Sequence, residues 1–111
     1  MTTISTQQDV VTLINVFTVA PENQQRLLDL LVEATESVMN RLPGFVSANL
    51  HTSLDGTKVT NYAQWRSRED FEAMLQNPEA MMHMREAGRI AETFEPHLYE
   101  VSFVDKTDLL S

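Results

Sequence analysis

The sequence contains no cysteine, and only three of its 111 residues are glycine. Without cysteine the chain cannot form disulfides, thiolate zinc sites, iron–sulfur clusters or a thiol nucleophile. The glycines at positions 44, 56 and 88 do not form the Gly-x-Gly-x-x-Gly pattern that binds dinucleotides, and no Gly-x-Ser-x-Gly nucleophile motif occurs. An enzyme with this sequence would have to work without the common catalytic and cofactor-binding motifs.

Basic residues are also scarce, since eight Lys and Arg stand against sixteen Asp and Glu and the formal net charge is −8. Nucleic acids and anionic membranes both require clustered positive charge, so neither is an expected partner. No apolar run reaches the length of a membrane span, and the first eight residues lack the basic and apolar regions of a signal peptide. We therefore expect a cytoplasmic protein.

The composition, with 42% hydrophobic and 22% charged residues, is typical of one globular domain. We assign residues 1–111 to a single domain, with a core from about 10 to 104 and polar tails at both ends. A domain of this size buries only about 65% of its unfolded surface, so an interface with a second chain would add stability.

Hydrophobic periodicity predicts the element order β-α-β-β-α-β. The segments are a strand at 10–19, a helix after Pro21 that ends before Pro43, strands at 45–53 and 58–66 around the Asp55-Gly56 turn, a helical region at 67–95 broken at Asn77-Pro78, and a strand at 97–104. Two strand–helix–strand units of similar length predict an α+β, ferredoxin-like sheet with helices on one face. Simple alternation in the second strand separates Phe45, Ser47, Asn49 and His51 from Val46, Ala48 and Leu50.

Apolar residues occur on both faces of the predicted strands one, two and four, for example Val16 beside Phe17 and Phe103 beside Val104. The helices can cover only one face of the sheet, and a large apolar face left in water is unfavourable. We therefore expect a second copy of the chain to cover the other face in a homodimer.

The only tryptophan, Trp65, follows Asn61 by four residues in the third strand. Side chains at this spacing share a face, so an amide and an indole N–H that could hold a carbonyl oxygen lie beside a large aromatic surface. A buried amide is costly without partners, which favours a pocket for a flat organic ligand. Trp65 as an ordinary core aromatic is the alternative. Asn15 shares a face with Leu13 and Phe17, and it could join the pocket or lie at the surface.

The long helix supplies further candidates. Arg85 and Arg89 lie one turn apart, where an arginine could hold an anionic oxygen or simply be solvated. The methionines at 74, 81, 82 and 84 suit a pocket for a large planar molecule as well as an irregular core. We expect no metal site, because no ligand spacing connects His51, His83 and His97.

The segment from His51 to Trp65 resembles the central hairpin of the antibiotic biosynthesis monooxygenase family, and in particular the anthrone oxygenase of the actinorhodin pathway. The Pro43-Gly44-Phe45 segment before the second strand and the helical turn around Arg85 extend the likeness over roughly residues 10–104.

The resemblance implies a homodimeric α+β barrel that oxidises a polycyclic aromatic anthrone or hydroquinone to a quinone with dioxygen, without flavin, haem or metal. It implies that Asn61 and Trp65 contact the substrate oxygen and the oxidised intermediate, with Arg85 as their polar partner on the helix. The remaining expected substrate-binding residues are Asn15, Phe71, Met74, Met81, His83 and Arg89. Phe71 stands where the actinorhodin enzyme has a tyrosine, so the phenol donor is missing and the route of the proton stays open.

Two alternatives stay open. Some members of the superfamily degrade haem with a tryptophan and a histidine on the helices; the corresponding positions here are Met74 and, about one residue away, His83. A non-catalytic barrel that only binds a small molecule is the other alternative, because a shared fold does not by itself assign chemistry.

Overall fold

The computed structural model describes residues 2–107 and contains the predicted element order. The strands are β1 (Val11–Thr18), β2 (Phe45–Thr52), β3 (Lys58–Trp65) and β4 (Thr93–Tyr99). The α-helices are α1 (Gln24–Ser37), α2 (Arg68–Met74) and α3 (Pro78–Ile90), and 3-10 turns at Pro21–Asn23 and Met39–Arg41 precede and follow α1.

The strands form one sheet in the order β2-β3-β1-β4, and every neighbouring pair is antiparallel. This arrangement confirms the predicted ferredoxin-like α+β fold. Because β1 and β3 are the two central strands, they place Asn15 directly opposite Asn61. The edge strand β4 pairs only with β1, and there Pro96 is the partner of Asn15.

Short polar motifs determine where the helices begin. The hydroxyl of Ser67 accepts the Asp70 N–H at 3.1 Å and so caps the first turn of α2. At the start of α3, the side-chain oxygen of Asn77 accepts the Ala80 N–H at 3.0 Å. Each cap satisfies a backbone donor that has no partner within its helix.

The core lies between the helices and one face of the sheet. One cluster of buried side chains surrounds Trp65 and includes Leu13, Ala63 and Met74. A second cluster surrounds Leu27, whose side chain is fully buried, and includes Phe17. Among residues 2–107, no helix combines the length and the hydrophobicity that crossing a membrane requires.

The opposite face of the sheet is partly covered by the chain's own N-terminal segment. Gln64, which is 1% exposed, donates to the Thr3 carbonyl at 2.7 Å and accepts from the Ser47 hydroxyl at 2.9 Å. The Thr2 hydroxyl also donates to the side-chain oxygen of Asn49 at 2.8 Å. Part of the face that we expected a second copy to cover is therefore covered within one chain.

The predicted limits of the last helix and the last strand are wrong. Helix α3 ends at Ile90 instead of near residue 95, and β4 occupies Thr93–Tyr99 instead of 97–104. Pro96 lies within β4, because an edge strand tolerates proline where one side of its backbone needs no ladder partner. Phe103 and Val104 consequently lie beyond β4 and do not belong to a strand face.

The predicted faces of β2 are also wrong at its first residue. A register shift between Phe45 and Ser47 pairs Phe45 with Trp65 but Ser47 with Gln64. This β-bulge adds one residue to the strand and reverses the alternation at that point. As a result Phe45 packs against the buried core cluster together with Ala48, on the face opposite Ser47.

Candidate active site

One cavity, which we call the outer cavity, has a volume of about 530 Å³. It lies between β1 and β4 on one side and α2 and α3 on the other. Its lining is mostly apolar and includes Leu13, Phe17, Phe71, Met81, Phe94 and Leu98. The volume falls within the range of about 300–1,000 Å³ that is usual for small-molecule sites, and aromatic and methionine walls suit a flat, apolar ligand.

A second cavity, the inner chamber, has a volume of about 50 Å³ and lies between α1 and the centre of the sheet. Asn61 and Trp65 line this chamber and not the outer cavity. The two cavities share a wall, since five residues line both of them: Leu13, Asn15, Phe17, Met74 and Met84. The site therefore has a large compartment and a small one that meet at Asn15.

Asn15 and Asn61 are the polar groups at the centre of this arrangement. Asn15 is only 9% exposed, and the two residues are direct partners across β1 and β3. The Oδ1 atom of each is buried and accepts no hydrogen bond from any residue in 2–107. An unsatisfied buried acceptor costs about 1–3 kcal/mol, so two of them side by side indicate a place where a ligand supplies the donors.

Trp65 is both a core residue and a wall of the inner chamber. It is 2% exposed, and its ring meets Phe45 edge-on at 5.6 Å between centroids and Phe71 at 6.3 Å. Such edge-to-face packing holds the indole in one orientation. Asn61, Trp65 and Asn15 all line the inner chamber, and their contacts with a substrate stay a prediction.

The outer cavity receives one cationic side chain from α3. Arg85 lines it together with Met81, and Phe71 and Met74 contribute from α2. With Asn15, five of the predicted substrate-binding or catalytic residues are therefore gathered at this cavity. An arginine at the wall of an apolar site can hold an anionic oxygen of a bound ligand.

The structure does not bring His83 or Arg89 to either of these two cavities. The Nδ1 atom of His83 lies 2.9 Å from the Glu79 carbonyl of the same helix. The Arg89 guanidinium forms an ion pair with Glu86, and its side chain is 74% exposed. Both side chains make contacts along the surface of α3, whereas Arg85 lines the cavity.

The wall formed by β4 was missed from the sequence. Phe94, Pro96, His97 and Leu98 line the outer cavity, but the predicted strand began only at residue 97. The signal was present, because Phe94, Pro96 and Leu98 alternate at every second position as one face of a strand.

The two carboxylates with displaced pKa values belong to turns and caps, and neither lines the outer cavity or the inner chamber. Hydrogen bonds from Thr57 and Ser53 lower the pKa of Asp55 to about 2. Hydrogen bonds from Arg66 and Ser67 lower the pKa of Asp70 at the start of α2. In the described part of the chain, no group of three or more His, Asp or Glu side chains is arranged to hold a metal ion. The polar groups at the two cavities are thus the amides of Asn15 and Asn61, the indole of Trp65, the guanidinium of Arg85, the imidazole of His97 and the hydroxyl of Thr35.

Several known proteins are similar to this chain in sequence and in fold. Residues 10–86 match the family model of antibiotic biosynthesis monooxygenases. The chain is 54% identical over 83 residues to the tetracenomycin-F1 monooxygenase of Streptomyces glaucescens, covering 75% of this chain and 74% of that protein.

Two solved oxygenase structures have a similar fold. The monooxygenase from the gene ActVA-Orf6 of Streptomyces coelicolor, in complex with nanaomycin D, has a TM-score of 0.76 and 22% identity, covering 90% of this chain and 93% of that one. SnoaB, a cofactor-independent oxygenase from Streptomyces nogalater, has a TM-score of 0.64 and 27% identity, covering 94% of this chain and 100% of that one.

The fold, the two-compartment site and these likenesses define a small α+β oxygenase. The chain belongs to the antibiotic biosynthesis monooxygenase family. It is a monooxygenase, and the family likeness of its central hairpin is confirmed.

Proposed function

We propose that this protein is a cofactor-independent monooxygenase that oxidises a polycyclic aromatic anthrone or hydroquinone to a quinone with dioxygen. The observation that carries the proposal is the pair Asn15 and Asn61, whose unpartnered Oδ1 atoms lie at an otherwise apolar site. Two relatives support the same chemistry, since one is a tetracenomycin-F1 monooxygenase and the other, SnoaB, is a cofactor-independent oxygenase.

The outer cavity accommodates the ring system of the substrate. Phe71 and Phe94 provide aromatic surfaces and Met81 a flexible one, while Asn15 marks the side that meets the inner chamber. A flat molecule bound there places its oxygen substituents near the amides on one side or near Arg85 on the other. Aromatic packing then supplies most of the affinity, and the few polar groups fix the orientation.

The first chemical step is the loss of a proton from the substrate to water at the exposed side of the outer cavity, where the lining residue Phe94 is 53% exposed. The anthrone methylene and the hydroquinone hydroxyl are acidic because the resulting anion is delocalised over the rings. Arg85 can hold the developing enolate oxygen at one wall of the outer cavity. The side-chain amides of Asn15 and Asn61 and the indole N–H of Trp65, at the other side, can donate hydrogen bonds to the oxidised intermediate, and the amide oxygens can accept a hydroxyl of the ligand. Such preorganised donors in a dry site stabilise the anion far more than water-exposed donors would.

The second step is electron transfer from this anion to dioxygen. With an anthrone, the substrate radical and superoxide combine at carbon, and loss of water from the resulting hydroperoxide leaves the quinone carbonyl. Arg85 holds an anionic oxygen of the substrate during both steps. The substrate itself supplies all the electrons, so the chain's own residues only bind, orient and stabilise charge.

Oxygen uptake by the purified, chelator-treated protein with a panel of anthrones and hydroquinones tests this proposal. We expect uptake well above the rate of autoxidation, and lower uptake by Asn61→Ala and Trp65→Phe. Thr12→Val is the matched control. Like Asn61, Thr12 is shielded from solvent and has a buried oxygen without a partner among residues 2–107, but its side chain lies on the face of β1 that points away from both cavities. Uptake no faster than autoxidation, with all variants alike, would contradict the proposal and favour a binding protein.

The homodimer is part of this proposal. Exposed aromatic side chains are concentrated at β4 and the residues after it, where Phe94 is 53%, Tyr99 47% and Phe103 79% exposed. Clustered exposed apolar surface favours association with another surface. Light scattering should give twice the chain mass of 12.6 kDa, and a monomer at micromolar concentration would contradict the dimer.

A further inference from the structure

We propose that the inner chamber is the dioxygen compartment of the reaction. The substrate rings occupy the outer cavity, and dioxygen occupies the inner chamber. Asn15, Met74 and Met84 line both cavities and form part of the wall between them. This inference rests on the proposed function, and it assigns separate places to the two reactants.

The volume of the chamber is small enough to exclude the aromatic substrate and large enough to admit dioxygen. Its volume is about 50 Å³, against about 530 Å³ for the outer cavity. An apolar cavity of about 150 Å³ holds benzene or xenon, whereas a single water molecule needs only about 10–15 Å³ of volume for its centre. The chamber is thus too small for an aromatic ring and large enough for a diatomic gas.

The chemistry of the lining favours a gas over a second polar ligand. Three alanines, Ala34, Ala48 and Ala63, line the chamber together with apolar side chains such as Leu31. Ala34 is 1% exposed and Ala63 is 2% exposed, so the chamber is enclosed on the helix side and on the sheet side. Dioxygen is apolar and partitions into the part of the chamber that these side chains line, while the amides of Asn15 and Asn61 and the hydroxyl of Thr35 are its polar groups.

The two amides become useful once the peroxide forms. The substrate anion gives one electron to dioxygen, the two radicals combine, and the new C–O bond points from the outer cavity into the chamber. The distal oxygen of the peroxide carries the negative charge beside the amide of Asn61 until it takes up a proton from water and becomes a neutral hydroperoxide. Loss of the remaining C–H proton breaks the O–O bond and releases water, so the carbon loses four electrons and the two oxygen atoms gain them.

Filling the chamber should impair the use of dioxygen and leave the binding of the aromatic ligand intact. Ala34→Val adds two methyl groups at the chamber wall on α1, opposite the amides. We expect its KM for dioxygen at saturating anthrone to rise at least about tenfold, with the anthrone KM within about twofold of the wild-type value. Ala87→Val is the matched control, because Ala87 is also fully buried on a helix but lines neither cavity; its KM for dioxygen should not change.

Xenon provides a test that needs no substrate and no variant. A crystal of the wild-type protein under xenon pressure should show a xenon atom in the inner chamber, and xenon should inhibit oxygen uptake competitively against dioxygen but not against anthrone. Ala63→Val, which fills the chamber from β3, should lose the bound xenon if Ala34→Val does not fold.

The outcomes distinguish the compartment from the reaction. Oxygen uptake with an unchanged KM for dioxygen in folded Ala34→Val, or xenon found only in the outer cavity, would overturn the compartment while the monooxygenase proposal stands. Xenon bound in the chamber supports the gas compartment whether or not the anthrones of the panel are turned over. If none of them is turned over, the proposed substrate class is contradicted on its own.

Discussion

Asn15 on β1 and Asn61 on β3 are direct cross-strand partners, and each has a buried Oδ1 atom that no group in residues 2–107 satisfies. Two neighbouring unsatisfied amides reduce the stability of the fold, because each acceptor has left water without gaining a hydrogen bond. This cost is offset at a binding site where the ligand itself supplies the hydrogen-bond donors for the two Oδ1 atoms. It also connects the outer cavity to the inner chamber, since Asn15 lines both.

Replacing either amide should lower activity without lowering stability. For Asn61→Ala we expect the turnover number to fall by about 10²-fold or more, as when an oxyanion-stabilising donor is removed. The free energy of unfolding should change by less than about 1 kcal/mol, because the lost oxygen had no partner in the folded chain. Steady-state kinetics and urea unfolding measure the two effects.

The control for this prediction is Thr12→Val, which removes another buried, unpartnered oxygen. Thr12 lines neither the outer cavity nor the inner chamber, so its variant should keep full activity and be at least as stable as the wild type. A large loss of stability in Asn61→Ala, with kinetics unchanged, would mean that the amide is structural.

Two arginines one turn apart on α3 should behave differently. Arg85 lines the outer cavity, whereas Arg89 lines neither cavity and pairs with Glu86 in solvent. We expect Arg85→Gln to lower kcat/KM by at least about tenfold, because one charged contact with the substrate is lost. Arg89→Gln should change kcat/KM less than about twofold. Both variants should unfold within about 0.5 kcal/mol of the wild type, since both side chains are exposed. Equal kinetic losses would remove the distinction between the two arginines.

Gly44 should not tolerate a side chain. Its φ is +85°, and an added Cβ would lie 2.4 Å from the Asp70 side chain at the start of α2. We expect Gly44→Ala to lose at least about 1–3 kcal/mol of unfolding free energy, from strain and the clash together. Gly88→Ala is the control for stability, because Gly88 lies within α3 and a Cβ there would make an ordinary 3.7 Å contact with Phe94. That substitution should stabilise the helix by about 0.5–1 kcal/mol.

The turn between β2 and β3 should make stability depend on pH through Asp55. Hydrogen bonds from Thr57 and Ser53 lower its pKa from 3.8 to about 2 in the folded chain. A lowered folded pKa means that the stabilisation is present above pH 3.8 and is lost as the pH falls towards 2. Thermal unfolding of Asp55→Asn should therefore show a lower Tm than wild type at pH 7, with a gap that closes between pH 4 and 2. A gap that stays constant over that range would show that the carboxylate charge contributes nothing.

Much of the site could be predicted from local pattern. The alternation within β3 was enough to place Asn61 and Trp65 on one face, and the cap at Ser67 and the Asp55-Gly56 turn were visible as short motifs. The contribution of β4 could not be found in the same way. A proline within a strand is acceptable only at a sheet edge, and the sequence does not state which strand is the edge.

The sequence by itself determined the order of elements, the caps and turns, and the polar residues on apolar faces, because these depend on contacts between residues close in the chain. Tertiary structure alone decided which of those residues meet. The pairing of β1 with β3 brings Asn15 to Asn61, the bulge turns Phe45 towards Trp65, and the course of α3 places Arg85 at the cavity and Arg89 in solvent. Each of these outcomes depends on strand register and helix packing between distant segments, which local periodicity does not encode.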